Sequence, residues 1–338
     1  MSKVIIDDVA ARAGVSIKTV SRVMNNEPNV SERTRDRVLS AARELNYRPS
    51  LSARGLAGSR SYLIGLLYDN PSPAYLAEVQ AGLLEACEAS HYSLALHPCH
   101  HEDPGMPAAV SAALAQARLD GLIITPPVCN VPALMAAVEE RGVPYAVISD
   151  EAGPSGIAVT IDESAAMRDL TEHVIGLGHT RIGFIAGHPD HKGAARRRDG
   201  FETAMKAHGL AIDPAMVVQG YFDFESGRHG ARDLLSRTNP PSAIIAANDD
   251  MAAGALQVAH DKGLHIPTDL VIVGFDDSPL SRQVWPPLTT VRQPVADMAR
   301  EAAARVIARL TGAAEPDNPA NLAFPHELRL RQSSLGDT

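Results

Sequence analysis

The segment from Ile6 to Asn25 leaves few folds open. Ile6, Val9, Ala10 and Ala13 fall at i, i+3, i+4 and i+7, so one face of a helix there is apolar. Gly14 follows where a left-handed residue stops such a helix. Ser16 suits the N-cap of a second short helix, from about residue 17 to 24. On that helix Val20 and Val23 turn inward. Lys18, Thr19, Ser21 and Arg22 stay outside, where they can meet a base edge or a phosphate. A third helix follows the cap Ser31, with Val38, Leu39, Ala42 and Leu45 as its expected buried stripe. Two short helices joined by so tight a turn read as a helix-turn-helix, a shape that places its second helix in a DNA groove.

The charge distribution agrees. Residues 1–60 hold 11 Lys and Arg against 6 Asp and Glu, a net of +5, in a chain whose total is −9. A basic head on an acidic body is the asymmetry expected of a DNA module carried by a solubilising domain. Phosphate neutralisation makes such binding steeply salt-dependent.

Beyond residue 60 the 338-residue chain alternates short apolar runs with helical patterns. Strands are expected at 63–67, 93–96, 121–125, 145–148, 158–161, 182–186, 243–247 and 270–275. Helices are expected at 74–90, 131–141, 164–177, 195–208, 225–237, 251–262 and 295–311. Repeated strand–helix units imply parallel sheets covered on both faces, an α/β body that breaks into halves near Ile161. The start of the chain has no apolar signal region, and no apolar run approaches membrane-spanning length, so a cytoplasmic protein with no membrane partner is expected. Cys87, Cys99 and Cys129 lack CxxC spacing and read as free thiols in a reducing compartment.

The head closely resembles that of the LacI/GalR family of bacterial transcriptional regulators. The matching residues are Asp8-Val9-Ala10, Ala13-Gly14-Val15-Ser16, Thr19-Val20-Ser21-Arg22-Val23, Val30-Ser31, Thr34-Arg35 and Leu45-Asn46-Tyr47-Arg48-Pro49. The stretch Ser50-Leu51-Ser52-Ala53-Arg54-Gly55-Leu56-Ala57-Gly58 is similar to the family's hinge helix. The resemblance implies that Ile17, Lys18 and Arg22 read bases and that Ser16, Thr19, Ser21, Asn25 and Ser31 position phosphates, with Tyr47, Ala53 and Arg54 at the same interface. It implies that Leu56 wedges open a central minor-groove step. The partner is then a near-palindromic, double-stranded operator bound by a homodimer. The domains are expected as residues 1–49 for the head, 50–60 for the hinge and 61–338 for the core.

The resemblance extends to the body. It implies two Rossmann-like subdomains of periplasmic-binding-protein type, residues 61–161 with 292–321 and residues 162–291 with 322–338. The chain would cross between them near Ile161-Asp162, Thr290-Val291-Arg292 and 318–322. Ligands in such folds sit beyond the carboxyl ends of the strands. There Asp69 and Asn70 can match hydroxyls and Tyr75 can cover a ring face, although the same loop could simply cap the next helix. The Arg-x-x-Gly-Phe pattern selects Arg197, whose fork suits vicinal hydroxyls or a carboxylate, and leaves Arg196 and Arg198 in solvent. Asn248 would face the ligand, with Asp249 as the helix cap, and Asp276 corresponds to the family's ligand-contacting carboxylate. Phe222 would pack on the ligand and Gln293 would touch both halves. Ser149 stands where some relatives carry a carboxylate, with Asp150 beside it, which leaves that side of the pocket open.

These residues suit a neutral mono- or disaccharide effector, with a purine, a sugar phosphate or a corepressor as alternatives. No cofactor is expected. No Walker loop, GxSxG elbow or HExxH is present, and Gly176-Leu177-Gly178 lacks the third glycine and the strand–helix order of a dinucleotide loop. An enzyme is therefore not expected, and a transport receptor would need a signal peptide and no basic head. His97-Pro98-Cys99-His100-His101-Glu102-Asp103 has metal-like composition but no second ligand pair of metal-site spacing, so no metal is expected. The last residues carry no heptad segment, which favours a dimer over a tetramer.

Overall fold

A computed structural model describes residues 4–24, 30–47, 60–313 and 321–335. The expected contacts of Asn25, Ala53, Arg54 and Leu56, and the hinge helix itself, lie outside these residues. The chain divides into two compact units, Met1–Tyr62 and Leu63–Thr338.

The first unit holds three helices, α1 (Ile6–Ala13), α2 (Ile17–Met24) and α3 (Glu32–Glu44). Val9, Ala10, Ala13, Val20, Val23, Val38, Ala41 and Ala42 form its core. Gly14 stops α1 at φ 63°, and Ser31 caps α3 by accepting from Thr34 N at 3.4 Å. Leu39 departs from the expected stripe. It is 38% exposed, because its neighbour Val38 already fills the narrow seam and Ala41 completes it.

The second unit contains two parallel sheets. Strands β1 (Leu63–Tyr68), β2 (Ser93–Pro98), β3 (Gly121–Ile124), β4 (Tyr145–Val147) and β5 (Ile157–Ile161) lie in one sheet. Strands β6 (Ile182–Ala186), β7 (Val217–Gln219), β8 (Ala243–Ala246) and β9 (Val271–Val273) form the other, in the order β7-β6-β8-β9. After them β10 (Thr290–Arg292) pairs antiparallel with β12 (Glu327–Arg329), while β11 (Asn321–Phe324) joins the first sheet beside β5, giving the order β11-β5-β4-β3-β1-β2. Strand β11 thus runs through the boundary expected at 321–322. It stays with the first sheet to Phe324, so the third crossing falls between Phe324 and Glu327.

Helices α4 (Pro73–Ala89), α5 (Met106–Ala117), α6 (Pro132–Arg141) and α12 (Val295–Thr311) accompany the first sheet. Helices α7 (Glu163–Gly176), α8 (Lys192–Ala207), α9 (Phe224–Leu235), α10 (Asp249–Asp261) and α11 (Pro279–Gln283) accompany the second, with α13 (Gln332–Leu335) last. The tightest contact is α4 on α12. A Cβ at Gly82 would lie 2.0 Å from the Ala296 carbonyl oxygen, so only glycine lets the two backbones approach this closely. That packing fastens α12, which arrives straight from the β10 crossing, to the first sheet.

Among the described residues no helix is long and apolar enough to cross a membrane. The three cysteines are buried and unpaired.

Candidate DNA interface and effector cleft

In the head, Ser16 Oγ accepts from Thr19 N at 3.2 Å and lies 2.9 Å from Thr19 Oγ1, which fixes the start of α2. The outer face of that helix carries Lys18 and Arg22, both exposed, and Ile17, which is 47% exposed. An isoleucine that contributes so little to the core is available for an apolar contact such as a thymine methyl. Ser31 is exposed at the cap of α3, and Tyr47 is half-buried against the head's core.

Two basic residues of the head have structural work that the charge count conceals. Arg37 donates from Nη2 to the carbonyls of Ala13 (2.6 Å) and Gly14 (3.1 Å), at the negative end of α1. Arg35 donates to Val23 O at 3.5 Å, near the end of α2. The positive surface left for phosphate is smaller than the net charge implies.

In the core, a cleft opens at the carboxyl ends of both sheets. Asn70, Tyr75, Ser149, Asp150, Arg197, Phe222, Asn248, Asp276 and Gln293 all line it. Asp69 does not. Its carboxylate turns to the next strand's loop, where it accepts from His101 N at 2.8 Å and sits 2.6 Å from His101 Nδ1.

Arg197 is the centre of the cleft floor. Its Nη1 donates to Ala247 O (2.5 Å) and Asp276 Oδ1 (3.4 Å), and its Nη2 donates to Glu163 Oε1 (3.1 Å). The guanidinium carbon lies 3.9 Å from the Phe275 ring centroid. Burial works against the Arg197 charge, but Glu163 and Asp276 more than offset it and hold its pKa above the ordinary value. Burial raises Asp276 to about 7, against the opposing pull of Arg197 and of Gln293, whose Nε2 donates to Oδ1 at 2.5 Å.

Two polar atoms in this group are buried without a hydrogen-bond partner, Arg197 Nε and Glu163 Oε2. Unsatisfied buried polar atoms are costly and rare, and they call for a ligand or water. Two lining residues also hold strained backbones. Phe222 has φ 63° and Asp276 has φ 115°, conformations that side chains other than glycine's seldom adopt. Strain of this kind concentrates where a site must be preorganised.

Asn248, not Asp249, is the cap of α10. Its Oδ1 accepts from Met251 N at 2.9 Å and its Nδ2 donates to Phe222 O at 2.9 Å. Asp249 is fully buried one residue into the helix. It accepts from Thr290 Oγ1 (2.7 Å) and Ser278 N (2.8 Å), which ties the β10 crossing to the second sheet. Burial, with Asp276 nearby, lifts its pKa well above the ordinary carboxylate range. Arg196 and Arg198 are both exposed, as expected, but Arg196 also pairs with Asp150 across the cleft, while Arg198 pairs with Glu202 one turn along its own helix.

Several lining residues were not singled out by the sequence. Glu163 opens α7 immediately after the first crossing. His191 packs edge-on to Phe222 at 5.2 Å, and burial pushes its pKa down to about 3, so it is a neutral donor or acceptor. Gly193 admits Glu163, since a Cβ there would lie 2.2 Å from Glu163 Oε2. Ser72 donates to Asp250 at 2.7 Å, and Lys192 to Glu151 at 2.6 Å. These join the Arg196–Asp150 pair in holding the two halves of the cleft together.

A helix-turn-helix head joined to a two-lobed, binding-protein-like body defines a class, the DNA-binding regulators that carry a cleft-bearing core. Residues 5–50 match the bacterial regulatory proteins of the lacI family, and residues 171–334 match the periplasmic binding protein-like domain. The chain is 36% identical over 304 residues to the HTH-type transcriptional regulator DegA of Bacillus subtilis (strain 168), covering 88% of this chain and 89% of that one. Its fold is similar to the lac repressor dimer bound to operator and the anti-inducer ONPF, with a TM-score of 0.82 and 29% identity over 99% of this chain and 100% of the other. It is also similar to the transcriptional regulator CelR in complex with cellobiose, with a TM-score of 0.74 and 30% identity over 98% of this chain and 100% of the other. The chain belongs to the LacI family of bacterial regulators. It is a transcriptional repressor that binds operator DNA through its helix-turn-helix, and it is not an enzyme.

Proposed function

We propose that this repressor is a homodimer whose grip on a near-palindromic operator is set by a small neutral carbohydrate in the cleft, and that it governs genes for using that sugar. The observation that carries this reading is the charge balance of the cleft floor. Arg197 is already paired with Glu163 and Asp276, and Arg196 with Asp150. No lining cation is left uncompensated, as a phosphate would need. What remains is a set of hydroxyl-matching groups. Asn70, Ser149, Asn248 and Gln293 offer amides and a hydroxyl, Arg197 Nε is a free donor and Glu163 Oε2 a free acceptor. Tyr75 and Phe222 offer flat apolar faces. Burial and the Glu163 and Asp276 carboxylates raise the Tyr75 phenol, so its O–H stays a donor. The sugar in the CelR complex supports the same class of ligand.

The dimer reading rests on exposed apolar residues of the first subdomain. Leu84 on α4 is 53% exposed and Leu96 on the edge strand β2 is 45% exposed, and these two elements pack on each other. Two recognition helices would then enter successive major grooves one helical turn apart.

A thermal-shift screen against neutral mono- and disaccharides, sugar phosphates and purines tests the ligand class. A ligand at 100 times its Kd adds about 2.7 kcal/mol. A rise in Tm with a neutral sugar is the expected result. A rise only with phosphates or purines overturns the carbohydrate reading.

A further inference from the structure

At the rim of the cleft, away from its floor, the donor atoms of His101, Glu102, His188 and Asp190 all lie within 4.8 Å of one another. The first two come from the loop after β2 and the last two from the loop after β6, so each subdomain supplies one imidazole and one carboxylate. The metal-like run 97–103 lacks a second ligand pair in sequence. The fold supplies that pair from 87 residues further along the chain, as His-x-Asp.

We propose that these four side chains form a zinc-class divalent-metal site that clasps the two subdomains across the mouth of the cleft. Two imidazoles with two carboxylates suit a first-row ion such as Zn²⁺, which takes four ligands at about 2.0–2.2 Å. The outer support is in place. Asp69 accepts from His101 N (2.8 Å) and holds Nδ1 at 2.6 Å, which fixes the ring and turns Nε2 toward Asp190 Oδ2 at 3.2 Å. A carboxylate behind a ligating imidazole is the usual means of orienting it. Asn130 Nδ2 donates to Asp190 O at 3.1 Å and anchors the opposing loop. The His101 and His188 rings stand edge to face with centroids 5.6 Å apart. Binding requires one rearrangement. His188 Nδ1 accepts from Asp190 N at 3.2 Å, and the ring gives up that bond when it coordinates.

Because the ligands are divided between the subdomains, the ion favours the closed cleft and so acts on the same equilibrium as the effector. It also explains why Asp69 faces away from the ligand cavity.

The test is calorimetric titration of chelator-treated, full-length protein with Zn²⁺, with Mg²⁺ as the control. The wild type is expected to bind one Zn²⁺ per chain and no Mg²⁺. Glu102→Gln on one side and His188→Gln on the other should each weaken that binding by about tenfold or more, and Asp69→Asn by about 10- to 100-fold. X-ray absorption of the loaded protein should show two imidazoles on the metal. Circular dichroism checks that each variant is folded. Absence of a stoichiometric Zn²⁺ site overturns the proposal. So does Zn²⁺ binding that only one side's variant, or neither, weakens.

Discussion

Arg197 and Glu163 pair at 3.1 Å on the cleft floor, and each keeps one buried polar atom unpartnered, Nε on the arginine and Oε2 on the glutamate. The pair is satisfied enough to fold and unsatisfied enough to need something more. Arg197→Met should therefore act mainly on stability. It strands Glu163 and Asp276 without their cation, and breaking a buried pair in this way costs about 3–5 kcal/mol. Urea unfolding of the core should show that loss, with Arg197→Lys recovering part of it. A loss under about 1 kcal/mol would mean that the network is not the buried unit described here.

Gly193→Ala probes the binding role of Glu163. The new Cβ would lie 2.2 Å from Glu163 Oε2 and 2.8 Å from Oε1, so the carboxylate must shift and its pairing with Arg197 loosens. The midpoint of unfolding should fall, but by less than for Arg197→Met, while the affinity for the sugar that raises Tm most should fall about tenfold or more, about 1.4 kcal/mol. Isothermal titration of both proteins with that sugar decides the matter. Unchanged affinity would place Glu163 outside the binding set.

Much of this arrangement was legible in the sequence. The helix-turn-helix was, because caps, a stop glycine and apolar period all fall within twenty residues. So were the long strands and helices of the core, and nine of the ten cleft residues. What was missed has physical reasons. Helix α5 is almost wholly small and apolar, so it shows no polar face and no helical period. Strands β7, β10 and β12 have three residues each, too few to alternate. Asp69 follows its strand as expected, but a loop carboxylate can turn either way, and a histidine 32 residues on decided its direction. Asp249 lost the cap to Asn248 for a similar reason. Both are buried and either could cap, and the distant Thr290 and Ser278 draw the Asp249 carboxylate away from the helix end. The pairing of Arg196 with Asp150 depends on closure of the two halves, which no local pattern encodes.

Sugar binding should strengthen as pH rises toward neutrality. Asp276 is raised to about 7 by burial, with Arg197 and Gln293 pulling it down and Asp250 and Glu163 pushing it up, and Asp249 lies close by. Hydroxyl donors from a ligand favour the carboxylate form, so affinity rises through about pH 7 and levels off above, by at most tenfold per pH unit. Free-protein stability has the opposite sign. The native state holds a proton that the unfolded chain releases above about pH 4, so this group's contribution falls as pH rises from there through about 7. Titrations at pH 6, 7 and 8, with unfolding at the same values, should show both trends. A flat affinity profile would remove Asp276 from ligand contact.

In the head, Lys18→Ala and Arg37→Ala should separate reading from scaffolding. Lys18 is exposed on α2, so its loss should leave head stability unchanged and relax base preference by about 1–3 kcal/mol at one position. Arg37 holds the carbonyls that end α1, so its loss should lower head stability by about 1–3 kcal/mol. Binding-site selection from random duplexes, with amide exchange across the head, measures both. Destabilisation by Lys18→Ala would contradict the assignment of that face.

The central claim is that cleft and operator are one thermodynamic system. Fluorescence anisotropy tests it most directly, with a selected operator duplex titrated at fixed salt, with and without the neutral sugar that raises Tm most. The account predicts that the sugar changes operator Kd about 5- to 150-fold, that operator changes sugar affinity by the same factor, and that Gly193→Ala needs about tenfold more sugar or more to produce the same change in operator Kd. An operator Kd unmoved by saturating sugar that occupies the cleft would contradict it.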